Sequence, residues 1–126
     1  MYKKALLVLV ALGLLSVVLA ACEIREISSN AGPTVHMGGA SFIQDSITIK
    51  KGDAVNLVDD AASPHIIING SWVNGQQQPK QESGAPTVNL NFKGNDSVST
   101  PAFNTAGTFH LYCTLHGNMN LTVIVQ

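Results

Sequence analysis

The chain has 126 residues, with seven Lys and Arg against eight Asp and Glu, a formal net charge of −1 and 6% aromatic residues. With neither a basic stripe nor an aromatic platform, nothing in it suggests nucleic-acid binding, and a charge this small defines no partner by itself. Two cysteines are too few for a disulfide scaffold.

In chain order, the first segment is set apart from the rest. Lys3 and Lys4 form a positive patch, and 5–21 is an unbroken run of apolar and small residues. A basic start, an apolar stretch and small residues before a cut site read as an export signal. The run is marginal for a spanning helix, which wants about 20 apolar residues. Its end, Leu19-Ala20-Ala21-Cys22, resembles a bacterial lipobox, in which the peptide is cut before a cysteine that then carries lipid. The competing reading is an uncleaved membrane anchor. Under either, the remainder lies outside the cytoplasm, in the periplasm or on an extracytoplasmic face, tied to a membrane. The expected division is a signal peptide over 1–21, a polar tether over 22–33 and one domain over 34–126. Without 1–21 the chain keeps 105 residues, with five basic against eight acidic and a net charge of about −3. That length is enough to bury a core without disulfide staples.

From Thr34 the pattern is that of strands. Ser46 to Ile49 alternates, and Lys50-Lys51-Gly52-Asp53 reads as a turn. Ala54 to Val58 alternates again. His65-Ile66-Ile67-Ile68 is a β-branched run between Pro64 and Asn69-Gly70. Val88 to Phe92, Phe109 to Cys113 and Leu121 to Val125 complete the set. Short alternating runs with turn signals between them predict an all-β antiparallel sandwich or barrel. The stretch 71–86, rich in Gln, Gly, Asn and Pro, reads as a long loop. No stretch after 33 has a good helical period.

If Cys22 is lipidated, Cys113 has no disulfide partner within the chain. A lone thiol in an oxidising compartment is an inert core residue, an intermolecular bridge, a nucleophile or a metal ligand. Strand alternation puts Phe109, Leu111 and Cys113 on one face and Thr108, His110 and Tyr112 on the other. The thiol is therefore expected on the core side at a strand end, and His110 away from it. The next residues, Thr114-Leu115-His116-Gly117-Asn118-Met119, place an imidazole and a thioether on the same short turn. Soft sulfur ligands favour Cu(I), imidazole accepts both copper states, and a His₂Cys set with a weak axial Met marks blue copper. Zinc usually takes four strong ligands, and a thioether is a poor one. The loop supplies one histidine, so the second must come from a distant strand. His36, beside Met37, lacks the spacing for a second metal site.

The run Gly107 to Met119 resembles the copper loop of the cupredoxins. Its spacing, two residues from Cys to His and two from His to Met, is similar to that of amicyanin. Upstream, Ile47 to Asp53 resembles the family's second-strand segment, and Ser63-Pro64-His65 resembles its Pro-His. The resemblance spans about 34–126. It implies a Greek-key β-sandwich and one type 1 copper ion held by His65, Cys113, His116 and Met119, with Met119 as the long axial ligand. It also implies that the solvent-facing edge of His116 passes the electron. Some family features are absent. Ile66 stands where plastocyanin-like members often have an Asn tied to the residue after the cysteine, so Thr114 needs another partner. Leu115 replaces a common Pro, and Asp59 and Asp60 stand where Asn is common.

The expected function is one-electron transfer between membrane-associated redox proteins that dock near His116. No catalysis, small-molecule substrate or nucleic acid is expected. A copper chaperone or storage lipoprotein is the alternative, although such a protein would tend to expose more methionines. A Cys113–His116 nucleophile pair would need a third, orienting group, and none is apparent. A copper oxidase would want further copper sites or a substrate pocket. A metal-free interaction domain would not need Cys, His and Met on one loop.

Overall fold

A computed structural model describes residues 32–126. The expected signal peptide, Cys22 and all but the last two residues of the tether lie outside them. The described residues form nine strands and no helix. In chain order these are β1 (Thr34–Met37), β2 (Ser46–Ile49), β3 (Asn56–Asp59), β4 (His65–Val73), β5 (Gln76–Pro79), β6 (Asn89–Phe92), β7 (Ser97–Ser99), β8 (Gly107–Cys113) and β9 (Asn120–Val125).

Two sheets face each other. One has the order β1-β3-β7, and the other runs β2-β9-β8-β4-β5 with β6 also on β4. Most pairs are antiparallel, but β1 with β3 and β2 with β9 are parallel. These two connections cross over instead of returning as hairpins, which gives a mixed-sheet sandwich. The core comes from strand alternation. In β9, Leu121, Val123 and Val125 are buried while Thr122 and Ile124 are half-buried. In β8, Phe109, Leu111 and Cys113 face the same core. Val35, Met37 and Leu57 meet them from the other sheet, and Phe103 lies 5.7 Å from Phe109 between ring centroids. Burying each such side chain contributes roughly 1.5–3 kcal/mol.

β4 is the longest strand and has two neighbours along one course. Its first half, His65 to Ile68, pairs with β6, and its second half, Gly70 to Val73, pairs with β5. The expected loop over 71–86 is therefore corrected: its first part is a β-hairpin. Asn74 and Gly75 form the turn with φ of 51° and 74°, the left-handed pair of a two-residue hairpin turn. The far strand, Gln76-Gln77-Gln78-Pro79, is exposed at every position, so it carries no hydrophobic alternation that would reveal it. The three-residue β7, with only Val98 turned toward the core, escapes notice because it is too short to show a period.

Candidate metal centre

Three segments meet at one end of the sandwich. β8 ends at Cys113, which is fully buried as alternation requires. β4 begins at His65, also fully buried. The turn from β8 to β9 carries His116, half-buried, between exposed Leu115 and Gly117. This turn is closed by its own backbone: Cys113 N–H donates to the Met119 carbonyl at 3.0 Å, and Met119 N–H to that of His116 at 3.4 Å. Asn118 turns the chain with φ 60°, a conformation Asn tolerates better than most residues.

The side chains of these segments converge. Cys113 Sγ lies 3.5 Å from His116 Nδ1 and 3.7 Å from His65 Nδ1. One ligand atom from each of the three residues lies within 4.8 Å of the other two. Metal bonds of about 2.0 Å to nitrogen and 2.3 Å to sulfur, meeting at a trigonal angle, would separate N from S by about 3.7 Å. The donor set therefore fits one ion with two imidazoles and a thiolate. Met119, 2% exposed, sits at the end of the same turn.

The tautomer of His65 follows from its partners. Its Nε2 lies 3.0 Å from the Gly38 carbonyl, which can only accept, so Nε2 carries the hydrogen and donates. That leaves the Nδ1 lone pair of the neutral ring aimed at the site. Burial pushes the His65 pKa below its ordinary value of 6.5, partly opposed by the nearby Asp59 charge. The ring is closed to water, and proximity to His116 lowers its pKa further.

A pH dependence follows for the metal-free protein. Below about pH 6.5 the unfolded chain protonates His65, whereas the folded chain resists it. Stability is therefore fully present above 6.5 and falls as pH drops toward the lower folded value. Urea unfolding at about pH 7.5 and about pH 5.5 should show this loss, and His65→Gln should lessen it. A profile unchanged by His65→Gln would contradict the assignment.

The missing Asn tie next to His65 is replaced from the hairpin. Thr114 N–H donates to the Ile66 carbonyl at 2.9 Å. Gln77 Nε2 donates to the Thr114 carbonyl at 3.3 Å, and the Trp72 indole to that of Cys113 at 2.8 Å. Asn120, just after Met119, exchanges bonds with the Trp72 backbone at 2.7 and 3.1 Å. Both ends of the ligand turn are thus braced by β4 and β5. The other two histidines stand apart from the three-residue cluster. His110 Nδ1 meets Glu82 Oε1 at 2.6 Å, and His36 Nδ1 meets Asp60 Oδ2 at 2.6 Å.

Among solved structures, the chain is similar to amicyanin from Paracoccus versutus, with 21% identity, 77% of this chain and 83% of that chain covered, and a TM-score of 0.59. A reduced single-site mutant of amicyanin gives 22% identity, 78% and 85% coverage, and a TM-score of 0.60. A purple cupredoxin from Nitrosopumilus maritimus gives 18% identity, 75% and 100% coverage, and a TM-score of 0.59. No curated protein sequence matches the chain. The sequence profile of copper binding proteins of the plastocyanin/azurin family matches residues 31–126. With that match over most of its length, and with two histidines and a cysteine converging where a copper ion would sit, this chain belongs to the plastocyanin/azurin family of copper-binding proteins.

Proposed function

We propose that this protein carries single electrons through one type 1 copper ion, which His65, Cys113, His116 and Met119 would hold. The observation that carries the reading is the convergence of one thiolate donor and two imidazole Nδ1 atoms under a half-exposed ring. Copper, when bound, would cycle between Cu(I) and Cu(II), a change of one electron with no substrate bonded. His65 and Cys113 hold their positions from two neighbouring strands, and buried apolar side chains keep water from the sulfur. His116 reaches the surface, where Leu115, Gly117 and Asn118 are exposed around it. A redox protein docking there would meet the ring edge through the small, transient kind of interface such partners use.

The test is a visible spectrum of the Cu(II)-loaded protein followed by a redox titration. An intense thiolate-to-copper charge-transfer band with a reversible one-electron step is expected. A colourless protein that binds only Cu(I) or zinc would replace the carrier with the chaperone or storage reading.

The proposed setting is an extracytoplasmic membrane surface, with lipid on Cys22 as the anchor and 22–33 as the tether. Each buried methylene contributes about 0.8 kcal/mol to such anchoring, and tethering raises the encounter rate with membrane-bound donors and acceptors. Cys22→Ala should move the protein from the membrane to the soluble fraction. Continued membrane attachment would favour an uncleaved anchor.

A further inference from the structure

The two imidazoles that converge with Cys113 are held differently. His65 is fully buried and meets the Gly38 carbonyl through Nε2. His116 is half-buried between exposed Leu115 and Gly117. Its far nitrogen, Nε2, lies 3.4 Å from the Ser63 hydroxyl. Ser63 stands two residues before His65, so one short segment reaches both rings. That segment, between β3 and β4, is itself pinned. Asn95 N–H donates to the Ala61 carbonyl at 2.8 Å, and Asp59 N–H to the Asp96 carbonyl at 2.8 Å. Pro64 fixes its own φ and disfavours helical backbone at Ser63. The half-buried Ser63 hydroxyl is therefore presented to His116 from a fixed loop.

The role of the contact follows from the other ring nitrogen. His116 Nδ1 lies 3.5 Å from Cys113 Sγ. A neutral imidazole has one N–H and one lone pair. A ring that offers its Nδ1 lone pair to an ion shared with Cys113 keeps its hydrogen on Nε2, and Ser63 Oγ accepts it. Histidines that ligate a metal generally donate from their second nitrogen in this way, and the acceptor fixes the tautomer and the ring orientation. The ring has little else to hold it. His65 packs against it with centroids 4.8 Å apart, and a Cβ added at Gly117 would meet nothing within 4 Å. We propose that Ser63 is the positioning residue of His116: its hydroxyl accepts the Nε2–H and holds the ring with Nδ1 on the side of Cys113. The role rests on the copper-carrier reading for its purpose, and it gives the exposed imidazole an anchor within the chain.

The experiment compares Ser63→Ala and Ser63→Thr with the unsubstituted protein. Cu(I) affinity is measured by competition. Exchange of the His116 Nε2 hydrogen with water is followed by proton–nitrogen NMR of the diamagnetic Cu(I)-loaded protein. Ser63→Ala should lower Cu(I) affinity by about tenfold, the lower end for loss of a contact that supports a ligand, because water takes part of the hydroxyl's place. Its Nε2 hydrogen should exchange at least about tenfold faster. Ser63→Thr keeps the hydroxyl and suits the residue before a proline, so affinity should return to within about twofold of the unsubstituted protein. Urea unfolding of the metal-free proteins should give the same midpoint for all three. An affinity unchanged in Ser63→Ala, a loss with no change in Nε2 exchange, or a loss that Ser63→Thr does not repair would overturn the role. A colourless Cu(II) form with these Cu(I) differences intact would end the carrier reading and leave the role of Ser63 standing. An intense visible band with no Cu(I) difference would do the reverse.

Discussion

Cys113→Ser is expected to remove the visible band of the copper-loaded protein and to lower Cu(I) affinity by at least about 100-fold. Loss of a residue that merely supports a ligand already costs about 10- to 100-fold, and here the soft thiolate itself is lost. The hydroxyl that replaces it fits the same fully buried space and can still bond His116 Nδ1 or His65 Nδ1. Metal-free stability should therefore fall by only about 1–2 kcal/mol. Separating the two effects matters, because a variant that unfolds would lose the band for a trivial reason. Absorption spectra with Cu(I) competition titrations report the site, and urea unfolding reports the fold. His110→Ala is the matched control. It lies three residues earlier on the same strand, but its ring meets Glu82 with 43% of the side chain exposed. The band should persist and stability should change by about 1 kcal/mol or less. A bleached band in His110→Ala would break the ligand assignment.

Gly70→Ala is expected to destabilise the fold by about 3 kcal/mol or more, because strain and steric conflict act together there. Gly70 has φ 124°, and a Cβ would overlap the Gln78 carbonyl oxygen and stand 2.8 Å from the Lys80 nitrogen. Both are backbone atoms of the paired segment, so neither can step aside without opening the hairpin. The site should register the change as well. Trp72 and Gln77 would no longer be held where they reach the carbonyls of Cys113 and Thr114, and the copper band should weaken or shift. Gly117→Ala makes a suitable control: it lies within the ligand turn, yet a Cβ there meets nothing within 4 Å. Equal unfolding midpoints for Gly70→Ala and the unsubstituted protein would contradict the role given to the hairpin.

Cys113 and Gln77 differ sharply in how far their roles can be read without a structure. Cys113 sits in an alternating strand with Phe109 and Leu111, so its inward direction follows from period two alone. His116 and Met119 follow on a six-residue turn, so their closeness to the cysteine is local. Gln77 lies in a strand with no apolar alternation, and its value to the site comes from Thr114, 37 residues away. The Asn74-Gly75 pair is a readable signal of the hairpin, but the Gln-rich strand after it obscures the pairing.

The all-β character, the inward thiol and the soft donor set on one turn are all written in the order of the amino acids, because each depends on neighbours a few residues apart. Resemblance adds which distant histidine to expect. It takes the folded chain to show that His65 meets Cys113 at 3.7 Å, that Gly38 holds the ring in its Nε2–H form, and that Asp59 is buried behind it. The folded chain also shows that two strand pairs run parallel. The ring contacts and the parallel pairs join residues 22 to 76 positions apart. Hydrophobic periodicity states which face of a strand is buried, but not which partner the buried face will meet.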